Sequence, residues 1–298
     1  MESRKGNFLD YVLILIAVFF WGMSFIWSDE VIDHGVPIFS FIFVRMIMAS
    51  LALLVFALIT GKMQKIRKGD LKWFLLMVFF EPFIYFLGES FGLKITNSPT
   101  LASVIIATIP VFSLIVGQIV FKEKLTAFNK IGIFVTVMGV ILFVLLGGSI
   151  HTDYFYGVLV FFLSVIGSTG YSAVCKKLTA HYNPVAIVTY QFIFAAGFFL
   201  IPFLIWGLPV WDGELIFSKP VMVPIVELAL LCSGVAFIFY VNSVDKIGMT
   251  KSVIFTSLCP VVSATAAFFL GQDNIRPWQI VGIVMAIAGV VMAQRKKI

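Results

Sequence analysis

Three ionisable residues interrupt long apolar stretches of this sequence. Arg45 lies within the run Ile38–Ile59, and Glu81 and Glu89 lie within the run Leu71–Gly92. A charged side chain in the middle of a membrane costs several kcal/mol, so such residues face protein or water rather than lipid. If these runs are membrane helices, we expect the three side chains to form a site inside the protein.

The spacing of these residues predicts their arrangement. Glu81, Tyr85 and Glu89 are four residues apart, so they share one face of a continuous helix. At the helical rise per residue, Glu81 lies roughly 15 Å and Glu89 roughly 27 Å from the start of their run, and Arg45 roughly 10 Å from the start of its own. Because neighbouring helices run in opposite directions, these depths favour an Arg45–Glu89 pair. Glu81 would then lack a cation and could carry a proton. Two alternatives remain: Arg45 pairs with Glu81, or Arg45 binds a carboxylate of the substrate.

Other polar or aromatic side chains are candidates for contact with a substrate. Trp21 lies ten residues into the first apolar run, too deep for an interfacial belt, and could stack on a substrate ring beside the Ser24 hydroxyl. The second half of the chain offers Gln191, Thr256 and Ser257. We expect these side chains to line a cavity together with Arg45, Glu81, Tyr85 and Glu89.

The sequence predicts no metal ion and no cofactor. Its three histidines have no partner His or Cys at ligand spacing, and its three cysteines fall in apolar runs without a metal-binding pattern. A phosphate-binding G-x-x-x-x-G-K-[ST] loop is absent from the sequence, so nothing indicates ATP as the energy source. The sequence also lacks a Ser–His or Cys–His arrangement and paired intramembrane aspartates, which argues against an enzyme.

The composition is that of a polytopic membrane protein. Apolar residues make up 61% of the chain, charged residues 12%, and the mean hydropathy is +1.07. Ten apolar windows of roughly 17 to 23 residues approach the length that crosses a bilayer as a helix. We therefore predict an all-α fold with ten transmembrane helices in the lipid bilayer. The windows are Tyr11–Trp27, Ile38–Ile59, Leu71–Gly92, Thr100–Phe121, Asn129–Gly147, Phe155–Cys175, Pro184–Trp206, Met222–Val244, Thr250–Leu270 and Pro277–Ala293.

The positive charges indicate the orientation of the chain. A net charge of +6 could suggest a nucleic-acid partner, but 17 of the 21 Lys and Arg residues flank the windows on one side of the predicted membrane. By the positive-inside rule that side is cytoplasmic, so both termini are predicted to be cytoplasmic. We expect no nucleic-acid partner and a location in the cytoplasmic membrane.

The chain contains one unit twice. The segment Thr100–Val140 recurs 150 residues later, and Pro110 recurs as Pro260. More weakly, residues 44–49 match residues 190–195, which pairs Arg45 with Gln191. Five windows in each of the halves 8–147 and 155–293 place the second half upside down relative to the first. Pro110 and Pro260 fall near mid-membrane in corresponding helices, so we expect both helices to be interrupted there and to contribute to gating.

Short motifs distributed over the chain resemble a known family. The first window contains Trp21-Gly22-x-Ser24-Phe25. Each half ends in a proline-containing helix, a loop with Glu123 or Asp273, and a glycine pair. Together they resemble the EamA branch of the drug/metabolite transporter superfamily. The resemblance implies a permease for small metabolites, often an exporter of amino acids or related compounds, with a substrate cavity between the halves.

The leading hypothesis is a secondary transporter for small polar metabolites such as amino acids. It would work by alternating access of the two halves, with proton coupling through Glu81. An alternative in the same class is a proton-coupled exporter of drugs or lipophilic cations, and an alternative of another class is a membrane sensor without transport. The glycine pairs Gly132/Gly139 and Gly282/Gly289 suit close helix contact within one chain or between the protomers of a homodimer.

Overall fold

The apolar segments of the sequence fold as helices, the conformation that satisfies backbone hydrogen bonds in lipid. The computed structural model describes residues 7–121, 126–146, 152–273 and 276–293, and no strand occurs in these ranges. The helices are α1 (Phe8–Asp33), α2 (Ile38–Ile59), α3 (Leu71–Thr96), α4 (Pro99–Ile106), α5 (Ile109–Phe121), α6 (Ala127–Leu146), α7 (Thr152–Leu178), α8 (Pro184–Pro202), α9 (Gly213–Ile216), α10 (Lys219–Lys246), α11 (Met249–Thr256), α12 (Cys259–Leu270) and α13 (Pro277–Ala293).

The lengths of these helices confirm the predicted class of protein. Eight helices among the described residues are long and apolar enough to cross a membrane. Two shorter apolar helices, Pro99–Ile115 and Pro277–Ala293, coincide with the two remaining windows. Large apolar side chains on the outside of the bundle, such as Phe134 and Val284, are 65% and 59% exposed. The chain is an all-helical, polytopic membrane protein.

Three of the membrane helices are interrupted beside a proline. The turn Ala107–Thr108 separates α4 from α5 just before Pro110, and the corresponding turn, residues 257–258, separates α11 from α12 just before Pro260. Helix α3 is also interrupted, at Glu81, where φ is −146° and ψ is 118°. The predicted continuous helix through Glu81 is therefore wrong. Pro82 provides the physical reason, because proline lacks an N–H donor and its ring clashes with the preceding turn.

The repeated glycines bring α6 and α13 together within one chain. A Cβ atom on Gly132 would clash with the main chain of Ala293, and one on Gly139 would come within 2.5 Å of the Ala286 nitrogen. Such close backbone approach is the known use of small residues between membrane helices. The glycine pairs thus form a close helix contact within the protomer.

Helix α3 packs closely against α7. A Cβ atom on Gly88 would lie 2.5 Å from the Ser164 hydroxyl, and the Gly92 position is closed by the Phe161 ring. The Ser164 hydroxyl donates a hydrogen bond to the Tyr85 carbonyl at 2.8 Å. These contacts fix the segment of α3 that follows the interruption, which carries Tyr85 and Glu89.

A carboxyl group of the second half caps a helix of the first half. Asp273 Oδ2 accepts hydrogen bonds from the Ser98 hydroxyl at 3.1 Å and from the Thr100 main-chain nitrogen at 3.0 Å, at the start of α4. Burial raises the pKa of the Asp273 carboxyl group, and the bonds from Thr100 and Ser98 oppose that rise. The matching residue, Glu123, lies outside the described residues.

The tight α6–α13 contact predicts unequal effects of two glycine-to-alanine substitutions. Gly132→Ala should destabilise the protein by about 1–3 kcal/mol, because the added methyl group overpacks the contact. Gly197→Ala in α8 is the matched control, since a Cβ atom there meets nothing within 4 Å. It should leave stability unchanged or raise it by up to about 1 kcal/mol through helix propensity. Thermal unfolding in detergent measures both, and equal stabilities would contradict the packing described.

Candidate functional site

The predicted site residues surround one internal cavity that both halves of the chain line. Seven of the nine side chains predicted to bind substrate line it, and five of the eleven other lining residues are aromatic. The free space is about 40 Å³, enough for about three water molecules. A metabolite would fit only after the surrounding helices separate. The predicted residues in the lining are Trp21, Ser24, Arg45, Glu81, Tyr85, Glu89 and Thr256.

Arg45 contributes a buried positive charge to this cavity. Its side chain is 3% exposed, its guanidinium carbon lies 4.1 Å from the centre of the Phe86 ring, and its Nε donates to Ser233 Oγ at 3.0 Å. Among the described residues it forms a salt bridge with neither Glu81 nor Glu89. The predicted Arg45–Glu89 pair is therefore not formed, because the ring and the Ser233 hydroxyl hold the guanidinium. No hydrogen bond joins its two NH₂ groups to another of the described residues, so they are available to a ligand.

Glu81 lies at the interruption of α3 and is 5% exposed. Within the described part of the chain, its carboxyl oxygen Oε2 is fully buried and has no hydrogen-bond partner. The Ser168 hydroxyl interacts with the carboxyl group from α7. The Glu81 carbonyl oxygen accepts a hydrogen bond from Gln191 Nε2 at 3.3 Å. A buried carboxyl group with an unfilled oxygen can take up a proton or bind an ammonium group.

Glu89 is the second buried carboxyl group that lines the cavity. It is 2% exposed, and its Oε1 accepts a hydrogen bond from the Ser28 hydroxyl of α1 at 3.4 Å. Tyr85, one turn earlier, lines the same cavity. Although α3 is interrupted, Glu81, Tyr85 and Glu89 still face a common space.

Trp21 forms part of an aromatic wall between the halves. Its ring centre lies 5.1 Å from that of Phe237 and 5.0 Å from that of Tyr240, and its Nε1 donates to the Cys232 carbonyl at 3.4 Å. The Ser24 hydroxyl donates to the Trp21 carbonyl at 2.8 Å. The Trp21 ring is thus held in place and presents an apolar face to the cavity.

Four predicted residues lie outside the lining of the cavity. Gln191 is fully buried behind it, against the main chain of Glu81. The Ser257 hydroxyl, in the turn after α11, donates to the Ile254 carbonyl of that helix at 2.7 Å. Pro110 and Pro260 directly follow the lining residues Ile109 and Cys259. The two prolines therefore affect the shape of the cavity indirectly, because the helices that line it are interrupted beside them.

Several residues of the site were not predicted. Pro82, directly after Glu81, carried a clear signal, because proline inside an apolar run marks a helix interruption. Phe86, Tyr171 and Ser233 carried none. The chain contains 33 phenylalanines, and neither a ring nor a hydroxyl that faces a cavity differs in sequence from one that packs.

Comparisons with known proteins agree with this arrangement. The model of the EamA-like transporter family matches residues 9–145 and 155–294. A protein of Archaeoglobus fulgidus named "Uncharacterized transporter" is 23% identical over 96% of this chain and 99% of its own length. A "Probable terminal-alkyne amino-acid exporter" of Streptantibioticus cattleyicolor is 26% identical over 65% of this chain and 64% of its own length. A crystal structure shares the fold over 98% of this chain and 99% of its own, with a TM-score of 0.70 and 15% identity.

The Arg45–Ser233 bond predicts a specific loss of stability. Ser233→Ala should destabilise the protein by about 1–3 kcal/mol, because a buried charged donor loses its acceptor. Ser103→Ala is the matched control, since this equally buried hydroxyl bonds only the Thr100 carbonyl of its own helix. Ser103→Ala should reduce the stability of the protein less than Ser233→Ala does. Thermal unfolding of both variants measures the difference, and equal losses would mean that Ser233 does not hold Arg45.

Proposed function

Because this chain belongs to the EamA-like transporter family, we propose that it is a secondary transporter that exports small polar metabolites such as amino acids. The observation that carries the proposal is the cavity between the halves, where Arg45, Glu81 and Glu89 are all buried. Ionisable residues in such a position are costly, and they commonly mark substrate and proton pathways. No chemical conversion of the substrate is part of the proposal.

The proposed transport cycle uses the inverted relation of the halves. We propose ten membrane spans with both termini in the cytoplasm, in the cytoplasmic membrane. The alternating positive charges and the two short helices Pro99–Ile115 and Pro277–Ala293 support this topology. The matched interruptions beside Pro110 and Pro260 allow the cavity to widen first towards one side and then towards the other.

The charges in the cavity suit a substrate with a carboxylate and an ammonium group. Arg45 has free guanidinium donors for the carboxylate, and Glu81 has a buried oxygen for the ammonium group or for a proton. The relative from Streptantibioticus cattleyicolor is named as an amino-acid exporter, which supports the same substrate class. Exchange of a proton at Glu81 would couple export to the proton gradient.

A second candidate function is the proton-coupled export of lipophilic cations. The aromatic walls and the two glutamates favour it, because cations bind to ring faces and to carboxylates. The buried guanidinium of Arg45 opposes it, since it would repel a cation from the same space. A stabilisation screen of the purified protein against amino acids and cationic dyes separates the two, because a true ligand raises the unfolding temperature by mass action.

The proposed role of Arg45 predicts a selective loss of affinity. Arg45→Gln should weaken binding of the stabilising amino acid about 10- to 100-fold, because a charge-assisted bond to its carboxylate is lost. The decarboxylated amine of the same amino acid is the control ligand, and its affinity should not fall, because Arg45→Gln removes a positive charge that repels it. Ligand-dependent shifts in unfolding temperature measure both affinities. An equal loss for the two ligands would contradict carboxylate binding by Arg45.

The proposed role of Glu81 predicts a loss of coupling. In proteoliposomes, Glu81→Gln should abolish substrate accumulation driven by a pH gradient while exchange between equal pools continues, because the amide cannot carry a proton. Glu227→Gln is the control, since Glu227 lies in a surface depression with Glu30 and Lys219, outside the central cavity. Full pH-driven accumulation by Glu81→Gln would eliminate the proton role and leave the transporter proposal intact.

A further inference from the structure

A side chain from the second helix of each half forms a hydrogen bond with an irregular stretch of a helix in the other half. Arg45 of α2 bonds Ser233, which lies in the loosely wound stretch Leu228–Ala236 of α10. Gln191 of α8 bonds Glu81, which lies in the interrupted stretch Phe79–Ile84 of α3. Arg45 and Gln191 occupy matching positions in the repeat, and α3 and α10 are the third windows of their halves. The two contacts are therefore related by the repeat.

The hydrogen bonds of Gln191 fix the orientation of its amide group. The Glu81 carbonyl oxygen can only accept, so the NH₂ group of Gln191 must face it, at 3.3 Å. The Tyr171 hydroxyl then donates to the amide oxygen at 3.4 Å. Gln191 is 0% exposed, so neither bond can be exchanged for one to bulk water. The side chain connects the Glu81 main chain to the aromatic wall of the cavity.

The Gln191 contact holds the Glu81 peptide at the point where α3 is interrupted. A regular helix would fix the direction of the Glu81 side chain by its own backbone, but φ and ψ at Glu81 are extended. An external partner is needed to hold the peptide and so to aim the carboxyl group at the cavity. Gln191 supplies that partner from the other half, so a movement of α8 relative to α3 displaces the carboxyl group.

We propose that Gln191 is a positioning residue that sets the orientation of Glu81, and that Gln191–Glu81 and Arg45–Ser233 are paired links between the halves. This inference rests on the proposed function. Through these links, relative movement of the halves changes the surroundings of Glu81 and Arg45 together. Gln191 binds no substrate in this account, in contrast to its predicted role.

Several titratable groups surround Glu81 and contribute to any pH dependence. Those that interact with it lie on α2, α3, α7 and α10. They are Arg45, Tyr85, Glu89, Tyr171, Cys175 and Tyr240. Replacement of Gln191 leaves each of these residues in the chain but also removes the acceptor of the Tyr171 hydroxyl, so the comparison tests the two bonds of the amide together.

The test is the pH profile of transport by Gln191→Met, which keeps the length of the side chain and removes the donor. Proteoliposomes take up an equimolar mixture of the proteinogenic amino acids under a pH gradient, with detection by mass spectrometry. We expect the midpoint of the profile to move by about one pH unit, because a carboxyl group that is no longer held in place changes its distance from the charged groups around it. Exchange between equal pools should stay within about twofold of the wild type.

Thr189→Val is the matched control, because this buried hydroxyl on the same helix bonds the Val185 carbonyl of its own helix at 2.7 Å and the Leu53 carbonyl of α2 at 3.4 Å, and not Glu81. Its profile should match the wild type. If Gln191→Met does not fold, Gln191→Asn, which keeps the amide but cannot reach Glu81, is measured in the same way. A wild-type profile in the Gln191 variant overturns this inference alone. Exchange without pH-driven uptake by the wild-type protein overturns proton coupling and this inference, whereas absence of both exchange and uptake overturns the proposed function as well.

Discussion

The structure depends on how it accommodates the buried guanidinium group of Arg45 inside a membrane. A cation at this position must face protein or water, and here it stacks on Phe86 and bonds Ser233, while no carboxylate in the described part of the chain is in salt-bridge contact with it. Phe86 comes from the first half and Ser233 from the second, so both halves are needed to hold one charge. Glu81 and Glu89 line the same space, which concentrates the charged groups of the membrane interior in one cavity.

The protein contains both a tightly packed helix pair and several interrupted helices, and the interrupted helices lie beside the cavity. The glycine contacts of α6 with α13 leave no room for a methyl group, so this pair is fixed at close approach. In contrast, α3, the α4–α5 pair and the α11–α12 pair are interrupted beside the cavity, at Glu81 and just before Pro110 and Pro260. Helices that are interrupted can bend without the loss of further backbone hydrogen bonds, which suits a cavity that must open to admit a substrate.

The sequence predicted the helices well and the site in part. Hydrophobic length alone located the helical segments, and the residue spacing brought Glu81, Tyr85 and Glu89 to a common cavity even though the helix between them is not continuous. The partner of Arg45 could not be predicted. The position of a residue along its helix gives only its depth in the membrane. The contacts of Arg45 depend instead on how α10, which carries Ser233, and the Phe86 ring pack against its guanidinium group. Gln191 was predicted to line the cavity and contact the substrate, but its contact with a main-chain carbonyl has no sequence signal.

The central claim is that the cavity between the halves is the path of the substrate. Cys259 lines that cavity, whereas Cys175 and Cys232 are buried outside its lining and can be replaced by serine. The direct measurement is the labelling of Cys259 by a small, membrane-impermeant thiol reagent, added to either side of proteoliposomes. The account predicts labelling from both sides, with rates that fall when a stabilising amino acid is present. Labelling from neither side, or rates that the ligand leaves unchanged, would contradict it.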